Sequence, residues 1–164
     1  LHYGEAHQIW QFSMAAKGCV SSYRALSYHA GDKELKEIIG DAINQAEPEA
    51  SECDRILTAN GIAPSPGLPD RPEAALEDIP IGARFGDMEI APKLAADTAA
   101  GLVACSQIMG MSIREDVGAL FAKYHATKAA LGLKILRLSK KKGWLVPPPL
   151  QVKRPENERE AVPN

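Results

Sequence analysis

Four stretches of the chain return an apolar residue every three or four positions, the spacing of one face of an α-helix. In the first, Ile9, Phe12, Ala16, Cys19, Tyr23, Leu26 and Ala30 form an unbroken heptad seam and predict a helix over about 5–30. Gly31-Asp32 then supplies a stop and a new N-cap. So short a link folds the second helix back antiparallel, over about 33–60, on Leu35, Ile38, Ile39, Ala42, Ala46, Cys53, Ile56 and Leu57. Asn60-Gly61 closes it, and Pro48 predicts a kink because the bond to the Asn44 carbonyl is lost. A third helix is expected over 87–112, with Pro92 in its first turn. A fourth is expected from about Arg114 to Gly143 on Val117, Leu120, Phe121, Tyr124, Leu131, Ile135 and Leu138. Glu115 and Asp116 at its start and Lys140, Lys141 and Lys142 at its end both complement the helix dipole.

The second and third helices are joined by "GIAPSPGLPDRPEAALEDIPIGARFG", residues 61–86, whose five prolines and four glycines exclude a long helix. A helical turn or two is expected at 72–77. The segment is long enough to travel the length of a bundle. Two helices, one long crossover and two more helices is the layout of a ferritin-like four-helix bundle; an up-down-up-down bundle with an elaborate loop is the other arrangement open to it. The expected fold is therefore all-α, with one bundle domain over residues 1–150. Trp144 and Leu145 are expected to tack the following segment onto the bundle. Pro147, Pro148 and Pro149 extend it, and residues 151–164 are expected to be an extended or disordered tail.

Composition agrees with helices. Of 164 residues, 45% are hydrophobic, 24% charged and only 5% aromatic, with many alanines. A net charge of −2 and the lack of a basic face exclude a nucleic-acid partner. Cys19, Cys53 and Cys105 are odd in number, distant and in apolar helical settings, which predicts reduced, buried thiols made in a reducing cytoplasm. The longest apolar stretch, 99–113, is too short for a membrane span, and no secretory leader is visible. The expected location on these grounds is the cytoplasm. The chain opens at Leu1 rather than methionine, which leaves room for an upstream segment.

The chemistry to weigh lies in "AINQAEPEASECDRIL", residues 42–57, where Glu47, Glu49 and Glu52 surround Pro48. A di-iron bundle takes one Glu from each of two helices and Glu-x-x-His from each of the others. No Glu-x-x-His occurs: none of His2, His7, His29 or His125 has a glutamate three positions earlier. Stepping along the stripes nonetheless places Glu49 beside Cys53, Asp97 beside Leu94, Glu5 on the extended first seam and His125 next to the fourth stripe. These four are the candidate ligands of an atypical carboxylate/His site. The plainer readings are that Glu47 and Glu52 are solvated, Glu49 pairs with a Lys or Arg, Asp97 caps a helix or bonds to a Ser or Tyr across the bundle, and His125 is a boundary residue. A buried carboxylate must find a proton, a cation or a metal. No phosphate loop, zinc-type pairing or nucleophile elbow is present. No cofactor is therefore expected, with iron or another divalent metal as the alternative.

Several segments resemble a family. "YGEAHQIWQFSMAAKGCVSSYRALSYHAGDKELKEII", "NGIAPSPGLPD", "AADTAAGLVACSQIMGMSIREDV" and "KKGWLVPPPL" are similar to an uncharacterised bacillus-type group related to spore coat protein F and placed in the ferritin-like superfamily. The resemblance covers about Glu5 to Leu150 and implies a ferritin-like bundle with a structural, spore-coat role. It carries no catalytic residues over. The leading expectation is thus a non-enzymatic assembly protein whose partners are other coat proteins or further copies of itself, as a homo-oligomer. A metal-binding ferritin-like enzyme using Glu49 and His125 with Glu5 or Asp97 is the alternative. A small-molecule cavity lined by the small residues of the third helix is a third.

Overall fold

The computed structural model describes residues 1–149; the expected tail at 151–164 lies outside the described residues. The described chain is all-helical: α1 (Tyr3–His29), α2 (Lys33–Ala59), α3 (Asp87–Met111) and α4 (Glu115–Lys142), each within a residue or two of the expected bounds. Their ends follow from local chemistry. The Asp32 carboxylate accepts from Leu35 N at 3.0 Å and caps α2. Gly61 and Gly143 adopt φ +73°, the left-handed geometry that closes α2 and α4 and that only glycine enters without strain. The α2 helix continues through Pro48. Asn44, whose carbonyl loses its partner there, is exposed, so water can satisfy it. Pro92 lies in the second turn of α3, not the first, because Gly86 and Glu89 start that helix at Asp87 with a capping bond.

Both hairpins are antiparallel, and the pairs between them set the topology. Tyr23 meets Asp97, and the Gly31 and Asp32 amides donate to Asp87, so α1 runs against α3. Lys141 meets Glu34 and Lys134 meets Asp41, so α2 runs against α4. The order is up, down, down, up. This is the one-crossover layout of a ferritin-like bundle, not the up-down-up-down alternative. Residues 60–86 travel back along the α1–α2 hairpin. Lys17 Nζ donates to the Ser65 carbonyl at 2.6 Å and pairs with Asp54 at 2.7 Å, Trp10 Nε1 donates to Ala63 O, and Arg71 Nε donates to Ser21 O. The helical turns of this crossover form later than expected, as short 3-10 turns at Leu76–Asp78 and Ile81–Ala83.

The core has two apolar ends. Ile9, Phe12, Cys53, Leu57, Cys105, Ile108, Val117, Phe121 and Tyr124 fill one, with Phe12 stacked on Tyr124 and edge-on to Phe121. Tyr23, Leu26, Leu35, Ile39, Ile90, Leu94, Ile135 and Leu138 fill the other, and Trp144 packs against it as expected. Each fully buried large aliphatic or aromatic side chain stabilises the fold by about 2 kcal/mol. Between the two ends the seam positions are small: Ala16 on α1, Ala46 on α2 and Gly101 on α3. Space is left there.

One segment, Ile81–Met111, is long and apolar enough to cross a bilayer by length and composition, which extends the apolar stretch seen in the sequence. Within it Ile90, Leu94, Cys105 and Ile108 are buried against the other helices, and Lys93 and Asp97 form an ion pair. That is the pattern of a bundle helix, with no clear membrane span.

Candidate functional site: a buried ion pair beside a central cavity

Glu49 is the one of the three carboxylates around Pro48 that enters the bundle, at 3% exposure. Glu47 pairs with Arg24 and Glu52 with Arg55 at the surface. The cation that Glu49 requires comes from α4: Lys128 Nζ donates to its Oε2 at 2.6 Å, with the lysine side chain only 14% exposed. Gln45 donates to the other carboxylate oxygen at 3.4 Å and to Thr127 Oγ1 at 3.0 Å, fixing the pair from the α2 side. Lys128 reaches this position by lying across α3 at Gly101. A Cβ there would stand 2.9 Å from Lys128 Cδ, so glycine leaves the path open. The ammonium also faces the Phe12 ring, 5.3 Å from its centroid. Burial pushes the Glu49 carboxyl above its usual value, and the Lys128 charge opposes that rise.

The pair borders a cavity of about 430 Å³ between the two hairpins, with Phe12, Ala16, Ala46, Gly101 and Leu131 on its walls. Tyr23 and Asp97 lie on the same cavity. Tyr23 Oη donates to Asp97 Oδ2 at 2.9 Å, and Lys93 Nζ donates to that oxygen at 2.7 Å. Burial pushes the Tyr23 hydroxyl well above its usual range, so it acts as a neutral donor. Cys19 lines the cavity as well and is half-buried. Cys53 and Cys105 are fully buried, and burial pushes their thiols up to about 12 and about 11.

The four residues named as ligand candidates occupy separate environments. Glu49 is paired with Lys128, and Asp97 faces the same cavity but is held by Tyr23 and Lys93. His125 is half-buried on α4 and does not line the cavity. Glu5 is fully buried at the end of the bundle, where it acts as a cap. Its Oε2 accepts from His2 N at 3.0 Å, and its Oε1 accepts from Ile113 N at 2.9 Å and Arg114 N at 3.1 Å. Burial alone would raise the Glu5 pKa, but these backbone donors outweigh it and hold the carboxyl below its usual value. Among the described residues no three His, Cys, Asp or Glu side chains gather as metal ligands would. The donors around Glu49 are an ammonium and an amide N–H, which do not fit a metal centre.

Lys128 and Gln45 were not singled out by the sequence pattern. The signal for Lys128 was present: it continues the α4 seam of Val117, Phe121, Tyr124, Leu131, Ile135 and Leu138 in steps of three and four. A lysine at a seam position on one helix and a glutamate at a seam position on another are each other's expected partners.

The fold and this interior define an all-α bundle of ferritin-like layout with a charged pair at its centre. The chain belongs to a family described as a protein of unknown function, DUF3231, whose pattern matches residues 1–156. It is 46% identical over 154 residues to the uncharacterized protein YvdQ of Bacillus subtilis (strain 168), covering 94% of this chain and 91% of YvdQ. The crystal structure of a "putative spore coat protein" from Bacillus halodurans C-125 superposes with a TM-score of 0.91 at 46% identity, covering 93% of this chain and 96% of that one. A conserved hypothetical protein from Mycobacterium tuberculosis shares the fold, with a TM-score of 0.69 at 10% identity over 84% of this chain and 98% of that one.

Proposed function

We propose that the chain is a spore-coat-like structural protein that assembles through the outer surface of its α3–α4 hairpin, first of all with further copies of itself. The coat role rests on the likeness to the Bacillus halodurans protein. The assembly role is carried by a second set of heptad positions facing outward. On α3 these are Ala96, Ala99, Val103, Ser106, Gly110 and Ile113 (the last just past the helix end), all exposed. On α4 they are Ala119, Ala122, Ala126, Ala129, Leu133 and Leu136, also exposed. Steps of three and four between small and aliphatic residues form the seam by which helices pack closely, and the bundle's own core does not use these positions. No resident metal or cofactor is part of this reading, because Lys128 supplies the cation for Glu49.

Light scattering behind size exclusion tests the assembly role. The protein should elute as a defined oligomer, and Val103→Lys with Ala126→Glu should reduce it to a monomer with its helicity intact. A wild type that stays monomeric at about 100 μM, where any self-contact with a Kd well below that value would show, would refute it. A fluorescent fusion followed through sporulation tests the coat role: a ring on the forespore supports it, and signal spread through the mother cell contradicts it.

A further inference from the structure

The central cavity contains more binding capacity than the ion pair uses. An ammonium has three N–H donors. Lys128 directs one to Glu49 and faces Phe12 with its charge, and makes no further hydrogen bond among the described residues. The carboxylates are engaged: Glu49 by Lys128 and Gln45, and Asp97 by Tyr23 and Lys93. Lys128 is the one cationic side chain on the lining among the described residues, and Phe12, Ala16, Ala104, Ile108 and Leu131 supply apolar wall. Gln8, Gln11 and Gln107 lie on the cavity lining between α1 and α3 and offer further amide N–H groups. At about 430 Å³ the space falls within the range of small-molecule sites, about 300–1,000 Å³. It is about three times the size of an engineered cavity that takes up benzene, about 150 Å³, and suits roughly ten to fifteen heavy atoms.

We propose that this cavity is a binding site for a small amphiphilic carboxylate, with the carboxylate on Lys128 and a flexible apolar body between α1 and α3. A medium-chain fatty acid has that chemistry. The acid's head competes with Glu49 for the ammonium, and the tail displaces water from the alanine, glycine and leucine walls. Three side chains then have separable roles. Lys128 recognises the head, Glu49 weakens binding by holding Lys128, and Ala104, on the lining, leaves room for the tail. This inference is independent of the coat assignment, since it concerns the space between α1 and α3 rather than the outer seams.

Isothermal titration with sodium decanoate, below its micelle concentration, is the test. One saturable site per chain is expected. Ala104→Phe should abolish it, Glu49→Gln should tighten it by about tenfold, and 1-decanol should bind at least tenfold more weakly than decanoate. Lys128→Met should weaken decanoate at least tenfold. If that variant melts too early to titrate, Glu49→Gln/Lys128→Met removes both charges and should show the same loss. No saturable binding to wild type overturns the proposal. So does equal affinity for decanol and decanoate, or undiminished binding when Lys128 is replaced.

Discussion

Replacing Lys128 with methionine keeps the length and apolar stem of the side chain but leaves Glu49 in the interior without its cation. Glu49 is 3% exposed and its closest partner is Lys128 Nζ at 2.6 Å. Removing one member of so buried a pair costs about 3–5 kcal/mol when the remaining charge is trapped. Glu49 has an escape, which is to take up a proton. Burial already holds its pKa above the unfolded value of about 4.3, and losing the opposing Lys128 charge raises it further. A carboxyl whose folded pKa lies above the unfolded one costs stability at high pH, and that cost disappears as pH falls toward the unfolded value. The variant should therefore lose about 3 kcal/mol at pH 8, a fall in Tm of roughly 10 °C for a chain of this size, and no more than about 1 kcal/mol at pH 5. Glu49→Gln/Lys128→Met should be nearly independent of pH over the same range. Urea and thermal melts followed by circular dichroism at the two pH values would measure this. A deficit equal at pH 5 and pH 8, or none at either, would refute a buried Glu49–Lys128 pair.

Glu5→Ala should cost about 3 kcal/mol, because three backbone N–H groups lose their shared acceptor. The folded pKa of Glu5 is depressed, so its contribution is present above about pH 4.3 and lost as pH falls through the folded value; Glu5→Gln should flatten that part of the acid limb of a stability–pH curve. Lys17→Met should release the crossover from the α1–α2 hairpin, and limited proteolysis should then cut within residues 61–86 well before the helices. Cys53 and Cys105 should resist Ellman's reagent at pH 8 until denaturant is added, leaving Cys19 as the one thiol that reacts in the native protein.

The four helices and the crossover were legible because α1 carries an uninterrupted seam, α2 and α4 carry seams broken at one position each, and the turns have their own signals, Gly31-Asp32, Asn60-Gly61 and Gly143 among them. The interior was legible only by halves. Glu49 stood out because a carboxylate on an apolar stripe demands an explanation. Lys128 did not, because a lysine on an exposed helix is ordinary and its seam position is meaningful only once α2 is known to lie opposite. For Asp97 the sequence left a helix cap and a bond to a Ser or Tyr across the bundle both open, and the structure pairs it with Tyr23. Glu5 had a local capping partner, His2, three residues away. Its second role, accepting from Ile113 and Arg114, depends on a contact more than a hundred residues distant that no local pattern reports. At Gly101 the absence of a Cβ opens the path of a side chain from another helix.

We propose that Lys128, and not a metal, meets the charge of Glu49. Elemental mass spectrometry tests it most directly, on protein purified without chelator, offered iron, manganese or zinc and then desalted. The predicted result is no transition metal above background, in wild type and in Glu49→Ala alike. About one or two metal ions per chain, retained through desalting and lost in Glu49→Ala, would contradict it.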